Sequence, residues 1–141
     1  LNQYKNNVIL MVNTASYCGF TKQYSEMQNL WDKYKKDGLV VIGVPSNSFN
    51  QEKNDDIEVK EFCEVNFNIT FPITTITNVK GDEAHEIYKW ASENHGKSAI
   101  PKWNFHKILI NKDGKVEETY SSFTKPMSKK ITSKIESLLE N

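Results

Sequence analysis

The sequence predicts an α/β fold in which a central mixed β-sheet is flanked by helices. Two short, uninterrupted apolar runs in the first third of the chain are typical of strands buried on both faces. Amphipathic helical patterns follow these runs, and a hairpin pattern with one more amphipathic segment closes the chain. Parallel strands joined by helices are therefore expected first, and an antiparallel pair of strands last.

The first part of the chain contains two predicted strands and the helix between them. Residues 8–12 and 39–45 are the two apolar runs. Thr21 is placed to cap the intervening helix, and Asp37-Gly38 is a typical helix end. This helix is indicated by five residues at helical spacing: Tyr24, Met27, Leu30, Trp31 and Tyr34.

Two helices and a short extended segment are predicted in the middle of the chain. Asp55 or Asp56 can cap the first helix, residues 71–73 are extended, and the second helix ends near residues 94–96. The apolar stripe of the first helix is Val59, Phe62, Cys63 and Phe67, and that of the second is Ala84, Ile87, Tyr88 and Ala91.

The last third of the chain predicts a hairpin and a terminal helix. Residues 107–111 and 116–120 are strand-like and flank the turn Lys112-Asp113-Gly114-Lys115. The helix is marked by Ile131, Ile135, Leu138 and Leu139. The element order β-α-β-α-β-α-β-β-α predicts a thioredoxin-like fold, and residues 1–141 are expected to form a single domain.

Composition and charge restrict the function classes. The 141 residues carry 18 basic and 18 acidic side chains for a formal net charge of +0, and every basic residue is Lys. This balance argues against a nucleic-acid interface, and the longest apolar runs are far below the roughly 20 residues of a membrane span. The chain starts at Leu1 close to a strand, so we expect an upstream segment to be missing. Its compartment is therefore unknown, with the cytoplasm favoured.

Cys18 is the candidate nucleophile. It follows the first strand, where ligands bind in open α/β sheets, and it is expected to open the first helix. The positive end of a helix dipole favours a thiolate over a thiol. A Cys-x-x-Cys pair is absent because Thr21 occupies the fourth position, so Cys18 acts alone or with a distant partner. The competing interpretation is a buried structural cysteine.

Three segments together resemble the glutathione peroxidase family, in its cysteine-containing, thioredoxin-linked branch. Residues 12–21 are similar to the peroxidatic segment, with Cys18 at the cysteine or selenocysteine position. Residues 43–52 are similar to the second segment, and residues 103–109 to the third. The similarity covers essentially the whole chain except for an N-terminal hairpin, and it implies a peroxidase with a thioredoxin-like fold.

The resemblance implies a catalytic tetrad. Gln51, Trp103 and Asn104 match the family's catalytic residues beside Cys18. Their amide and indole N–H groups would polarise a peroxide and deliver hydrogen bonds in fixed directions. Each residue taken alone also has a structural interpretation, as a core Trp, a turn Asn and a loop Gln.

The second segment departs from the family pattern. Ser46-Asn47-Ser48 stands where Cys-Asn-Gln is usual, and Asn50 stands where Gly is common. Tyr17 occupies a position where Lys is common, which removes a cation beside the expected Cys18 thiolate.

Cys63 is the candidate resolving cysteine, because it lies in the segment where cysteine-type family members carry theirs. The competing interpretation is a structural thiol, because Cys63 lies on the apolar stripe of its helix. We expect no cofactor, but an external reductant, either a thioredoxin-like protein or glutathione. The absence of Arg favours the protein donor. The short stretch between Trp90 and Trp103 predicts a monomer.

Other functions are less well supported. A non-catalytic thiol redox sensor or relay with the same fold is the main alternative. His85, His95 and His106 lack the spacing of metal ligands, so we expect no metal site. A papain-like arrangement of Cys18, Asn104 and His106 would have its Asn and His too close and in the wrong order.

Overall fold

The computed structural model describes residues 2–140 as a four-stranded sheet with helices on both faces. The strands are β1 (Val8–Thr14), β2 (Leu39–Pro45), β3 (Lys107–Ile110) and β4 (Val116–Tyr120). The helices are α1 (Gln23–Tyr34), α2 (Asp56–Phe67), α3 (Glu86–His95) and α4 (Lys129–Glu140), with short 3₁₀ turns at Asn2–Tyr4, Lys35–Asp37 and Lys97–Ala99.

The sheet is mixed, in the order β2-β1-β3-β4. Strands β1 and β2 are parallel, with Val8 opposite Leu39. Strand β3 runs antiparallel to both β1 and β4, with Val12 opposite Lys107. The residues that follow β1 and β2 and those that precede β3 consequently lie at one edge of the sheet. All three motif segments meet at this edge.

Alternate side chains of β1 enter two different cores, as expected for a strand covered on both faces. Val8, Leu10 and Val12 pack in one core with residues of α1, α2 and α4. Ile9 and Met11 pack in the other core, together with residues of α3. Because both faces are covered, the uninterrupted apolar run is required rather than accidental.

Three local predictions are corrected. Helix α1 begins at Gln23 and has no side-chain cap, because the Thr21 hydroxyl donates to the carbonyl of Cys18. Residues 71–73 form only an isolated parallel bridge, between Ile73 and Gly43. Ala84 lies outside α3, whose first turn is capped by the side chain of His85.

Other local predictions are confirmed. Of the two candidate caps of α2, Asp55 accepts the N–H of Ile57 at 2.8 Å. Asp56 instead accepts the N–H of Ile76. Gly38 ends the α1 region with a φ of 110°, a left-handed conformation that glycine adopts without a side-chain clash. Within residues 2–140, no helix has the length and apolar character to cross a membrane.

Candidate active site

Cys18 lies in a series of turns between β1 and α1. Its side chain is 3% exposed, and its sulfur accepts the backbone N–H of Phe20 at 3.4 Å. The backbone N–H of Thr21 donates to the carbonyl of Cys18 at 3.1 Å. Helix α1 starts five residues after Cys18, so the cysteine does not open the helix as predicted. A backbone N–H in a turn, rather than the helix end, faces the sulfur.

Gln51 is held beside the Cys18 turn by main-chain contacts. The backbone N–H of Tyr17 donates to the Gln51 carbonyl at 2.8 Å. Asn50 adopts a φ of 60°, which aims the following residue towards the turn. Asparagine tolerates this left-handed conformation better than most residues. Gln51 is half-buried, and its side-chain oxygen accepts a hydrogen bond from Asn104.

Asn104 completes a hydrogen-bonded pair with Gln51. Its Nδ2 donates to Gln51 Oε1 at 3.3 Å, and its side chain is fully buried. The Oδ1 atom of Asn104 is buried without a hydrogen-bond partner in the described part of the chain. Because a buried amide oxygen is costly when unpaired, this atom is available to a ligand or a water molecule.

Trp103 is partly exposed and packs on the second motif segment. It is 36% exposed, and its ring centroid lies 5.3 Å from that of Phe49 in the second motif segment. The alternative in which Trp103 is a core residue is therefore not supported. Among residues 2–140, none of the three predicted donors makes a hydrogen bond to the Cys18 sulfur, which leaves the roles assigned to them as predictions.

Asn13, which was not singled out from the sequence, anchors the Trp103–Asn104 segment. Its Nδ2 donates to the Trp103 carbonyl at 3.0 Å, and its Oδ1 accepts the N–H of His106 at 3.1 Å. Phe105, between these contacts, has a φ of 63°, a strained conformation for a bulky residue. The fully buried Asn13 amide therefore holds a turn that the chain would not adopt by itself.

Glu52 is a second buried polar residue that sequence reasoning missed. Its Oε1 accepts the backbone N–H groups of Ser16 at 3.0 Å and of Lys53 at 2.8 Å. Burial raises the pKa of the Glu52 carboxyl, and the hydrogen bonds from Ser16 and Lys53 act in the opposite direction. In the sequence, this role of Glu52 is indicated only by its position directly after the candidate catalytic residue Gln51. The carboxyl fastens the loop after β2 to the start of the Cys18 turn.

The chain matches known proteins throughout its length. Residues 1–92 match the family model described as glutathione peroxidase. The chain is 44% identical to the glutathione peroxidase-like peroxiredoxin HYR1 of Saccharomyces cerevisiae, over 99% of this chain and 86% of that protein. It is also 44% identical to the glutathione peroxidase homolog BsaA of Halalkalibacterium halodurans, over 99% of this chain and 89% of that protein.

The chain belongs to the glutathione peroxidase family. The crystal structure of Trgpx in its apo form has a TM-score of 0.77 and 39% identity, covering 99% of this chain and 85% of that one. A thioredoxin-like superfamily protein with 18% identity, covering 99% of this chain and 84% of that one, has a TM-score of 0.72 and shows the fold alone. The predicted family, the thioredoxin-like fold and the assignment as a peroxidase are thus confirmed.

Lys53 brings a positive charge to the residue before Cys18, at a position where the sequence resemblance led us to expect a Lys and the chain has Tyr17. Lys53 Nζ donates to the Tyr17 hydroxyl at 3.0 Å. The same ammonium lies 4.6 Å from the Tyr17 ring centroid and 5.3 Å from that of Phe62. Lys53 therefore links the neighbour of Cys18 to the neighbour of Cys63.

Cys63 is a free thiol on the face of α2 that packs against the core. It is fully buried, and that burial raises the pKa of its thiol to about 11. Burial outweighs the nearby Tyr24 hydroxyl, which lowers this pKa, and the Glu52 and Glu64 carboxylates act in the same direction as burial. A thiol in this position is a poor nucleophile until α2 moves.

The histidines of this peroxidase have structural contacts. His85 caps α3, and the ring of His106 contacts the carbonyl of Ser98 at 2.9 Å. Burial lowers the pKa of His106. Residues 2–140 contain no cluster of three or more side chains that could ligate a metal ion.

Proposed function

We propose that this protein reduces hydrogen peroxide and organic or lipid hydroperoxides through Cys18. The observation that supports this most is the meeting of three distant segments at one sheet edge. There Gln51 and Asn104 form a hydrogen-bonded pair, and the Gln51 carbonyl is tied to the residue before Cys18. A purely structural cysteine would not need polar amides collected around its turn.

The proposed reaction is a displacement at oxygen. The Cys18 thiolate attacks one peroxide oxygen, the O–O bond breaks, and the leaving alkoxide or hydroxide takes up a proton. The products are a sulfenic acid on Cys18 and an alcohol or water. The cysteine is oxidised by two electrons, and the peroxide is reduced by two.

Gln51, Trp103 and Asn104 would stabilise the charge that moves from sulfur to the departing oxygen. Their N–H groups do not titrate, so they can serve over a broad pH range. Two observations support these roles: Trp103 is partly exposed, and the side-chain amides of Gln51 and Asn104 are hydrogen-bonded to each other. Asn13 would keep two of these donors in place through its contacts on either side of Asn104.

The sulfenic acid must then be reduced by thiols. We propose that Cys63 condenses with it to give a disulfide and water, and that a thioredoxin-like protein or glutathione reduces the oxidised form. The chain contains no Arg to clamp an anionic tripeptide, which favours the protein donor. A monomer is the assembly we propose, and light scattering at about the chain mass of 16.3 kDa would support it.

A steady-state peroxidase assay tests this function. Cys18→Ser should abolish peroxide consumption, because the substitution removes the nucleophile with little change in volume. Cys63→Ser is the matched control: it should keep the first reduction of peroxide and lose turnover driven by thioredoxin and its reductase. Parallel assays with glutathione identify the donor.

Two outcomes would contradict the proposal. Turnover that survives in purified Cys18→Ser would exclude Cys18 as the nucleophile. Slow oxidation of the wild type, in proportion to protein and without recycling by either donor, would instead favour the redox sensor.

A further inference from the structure

Lys107 is a fully buried lysine behind the candidate site. It is the first residue of β3, three positions after Asn104, and it is 0% exposed. Its Nζ donates to Gln23 Oε1 at 2.6 Å and to the carbonyls of Ser121 and Ser122 at 3.3 Å each. No carboxylate of residues 2–140 forms an ion pair with it. A buried lysine without a paired acid is rare in a protein core.

The acceptors around Lys107 are connected to Asn104. Gln23 Nε2 donates to the Ser122 carbonyl at 2.7 Å, and Ser122 Oγ donates to the Asn104 carbonyl at 2.6 Å. The ammonium therefore holds the start of α1 and the end of the β3–β4 hairpin in one network. This network ends on the main chain of a proposed catalytic residue.

The protonation state of Lys107 determines how many of these contacts can form. An ammonium has three N–H donors for its three acceptors, whereas a neutral amine has two donors and a lone pair. A neutral Lys107 would therefore release one acceptor. Since Gln23 offers only its oxygen to Nζ, nothing in the network would donate to the lone pair.

The charged and titratable neighbours of Lys107 come from three elements. Glu26 on α1 favours its charged form, and burial disfavours it and lowers the pKa of Lys107 to about 7. Tyr120 on β4 lies opposite, with a pKa that burial raises to about 12, so it stays neutral. The preceding His106 has a lowered pKa and is uncharged in the same range. The ammonium thus loses its proton near neutral pH.

We propose that Lys107 is a positioning residue whose ammonium, through Gln23 and Ser122, fixes the main chain of Asn104 for peroxide reduction by Cys18. This inference rests on the proposed function. A thiolate nucleophile alone gives a rate that rises with pH and then levels off. Deprotonation of Lys107 adds a decline on the alkaline side, because one contact of the network is lost.

Stopped-flow measurement of Cys18 oxidation by hydrogen peroxide, between about pH 5.5 and 9, tests the proposal. The wild type should show a maximum and a falling alkaline limb. Lys107→Met should be roughly 10- to 100-fold slower at the wild-type maximum, as expected for a misplaced donor, and should lack the falling limb. Lys112→Met is the matched control, because Lys112 Nζ donates to a distant carbonyl, that of Leu139. It should behave as the wild type.

A second variant keeps the test decisive if Lys107→Met does not fold. Gln23→Glu places a carboxylate against Nζ, which favours the charged lysine, so the falling limb should move to higher pH. The same substitution removes the Nε2 hydrogen bond to the Ser122 carbonyl, which should lower the rate at every pH without changing the direction of that shift. An unchanged limb in both folded variants, or an unshifted limb in Gln23→Glu alone, would overturn the inference. In that case fast wild-type oxidation would leave the proposed function standing. Slow wild-type oxidation would overturn the function itself and this inference with it.

Discussion

At the scale of single residues, the site combines the proposed nucleophile Cys18 with amides whose positions depend on other buried side chains. Asn104 donates to Gln51 and is itself held by contacts of Asn13 and Ser122 with its segment. The conformation of Phe105 shows why such contacts are needed, since its positive φ is unfavourable for a bulky residue. The buried side chains of Asn13 and Ser122 therefore contribute to the proposed chemistry by holding the segment that contains Asn104.

Substitution of the three proposed donors is expected to slow Cys18 oxidation. In Gln51→Ala, Trp103→Phe and Asn104→Ala, one preorganised donor is lost, which costs a factor of roughly 10² to 10³ in comparable anion-stabilising sites. Stopped-flow rates with hydrogen peroxide measure the effect, and circular dichroism checks the fold. Gln28→Ala is a suitable control, because Gln28 makes exposed contacts with Asp32 and Thr70. If all three variants reacted at the wild-type rate, these residues would be structural.

At the scale of elements, the proposed resolution by Cys63 requires helix α2 to open so that its buried thiol reaches the Cys18 turn. A disulfide requires Cα atoms within about 7 Å, and Cys63 is buried on the inner face of α2. The helix buries only Val59 and Cys63 and exposes Ile57 and Val65, so its opening costs much less than global unfolding. The Lys53 contacts with Tyr17 and Phe62 oppose this opening.

Lys53→Met is therefore expected to speed up formation of the Cys18–Cys63 disulfide. Because the Lys53 ammonium lies over both the Tyr17 and Phe62 rings, its removal should accelerate the step by a factor of roughly 5 or more. Quenched-flow mass mapping after a stoichiometric peroxide pulse follows the cross-link, and far-ultraviolet circular dichroism follows the loss of helix. Lys60→Met on the same helix is the control, since Lys60 forms an exposed ion pair with Glu64 at 4.0 Å within α2 itself.

The same experiment can exclude the two-cysteine mechanism. If the two cysteine peptides stay unlinked while Cys18 proceeds to a sulfinic acid, Cys63 is a structural thiol. An external thiol such as glutathione would then have to reduce the sulfenic acid directly.

At the scale of the whole molecule, the buried lysine affects stability as well as activity. The pKa of Lys107 is about 7 in the folded chain, against an ordinary value of 10.5. Between these values the unfolded chain binds more protons, so the free energy of unfolding increases with pH. The cation thus makes its contacts to the site at a cost in stability that disappears on deprotonation.

The free energy of unfolding is expected to rise between pH 7 and 8.5 by up to about 1.4 kcal/mol per pH unit. Urea unfolding at several pH values measures this slope, and Lys107→Met should have a flatter one. The range stops below pH 9 because of Cys63, whose pKa burial raises to about 11. Above pH 9 the unfolded chain loses the Cys63 proton more readily than the folded chain, so this group lowers the free energy of unfolding as the pH increases. Equal slopes in the two proteins would show that Lys107 does not titrate in this range.

From the sequence alone we predicted the four strands of the sheet, the four helices and the family, and we identified Cys18 as the candidate nucleophile. Buried strands and amphipathic helices leave local patterns, and the segments around Cys18, Gln51 and Trp103 are continuous in the chain. The start of α1 was predicted too early because Thr21 uses its hydroxyl on Cys18 instead of the helix. This hydrogen bond of Thr21 depends on the conformation of the Cys18 turn, which helix propensities of single residues do not predict.

Which polar side chains form hydrogen bonds with each other became clear from the packing of distant elements. Asn13 and Trp103 are 90 residues apart, and Lys107 and Gln23 are 84 apart. Their contacts depend on the antiparallel register of β1 and β3 and on the packing of α1 against the sheet. A local sequence pattern specifies neither of these. The same holds for Lys53, which reaches the aromatic rings beside both cysteines. Local sequence patterns determine the strands and helices. The hydrogen-bond partners of the buried polar side chains depend on how distant strands and helices pack, because these side chains are far apart in the chain and meet only in the folded protein.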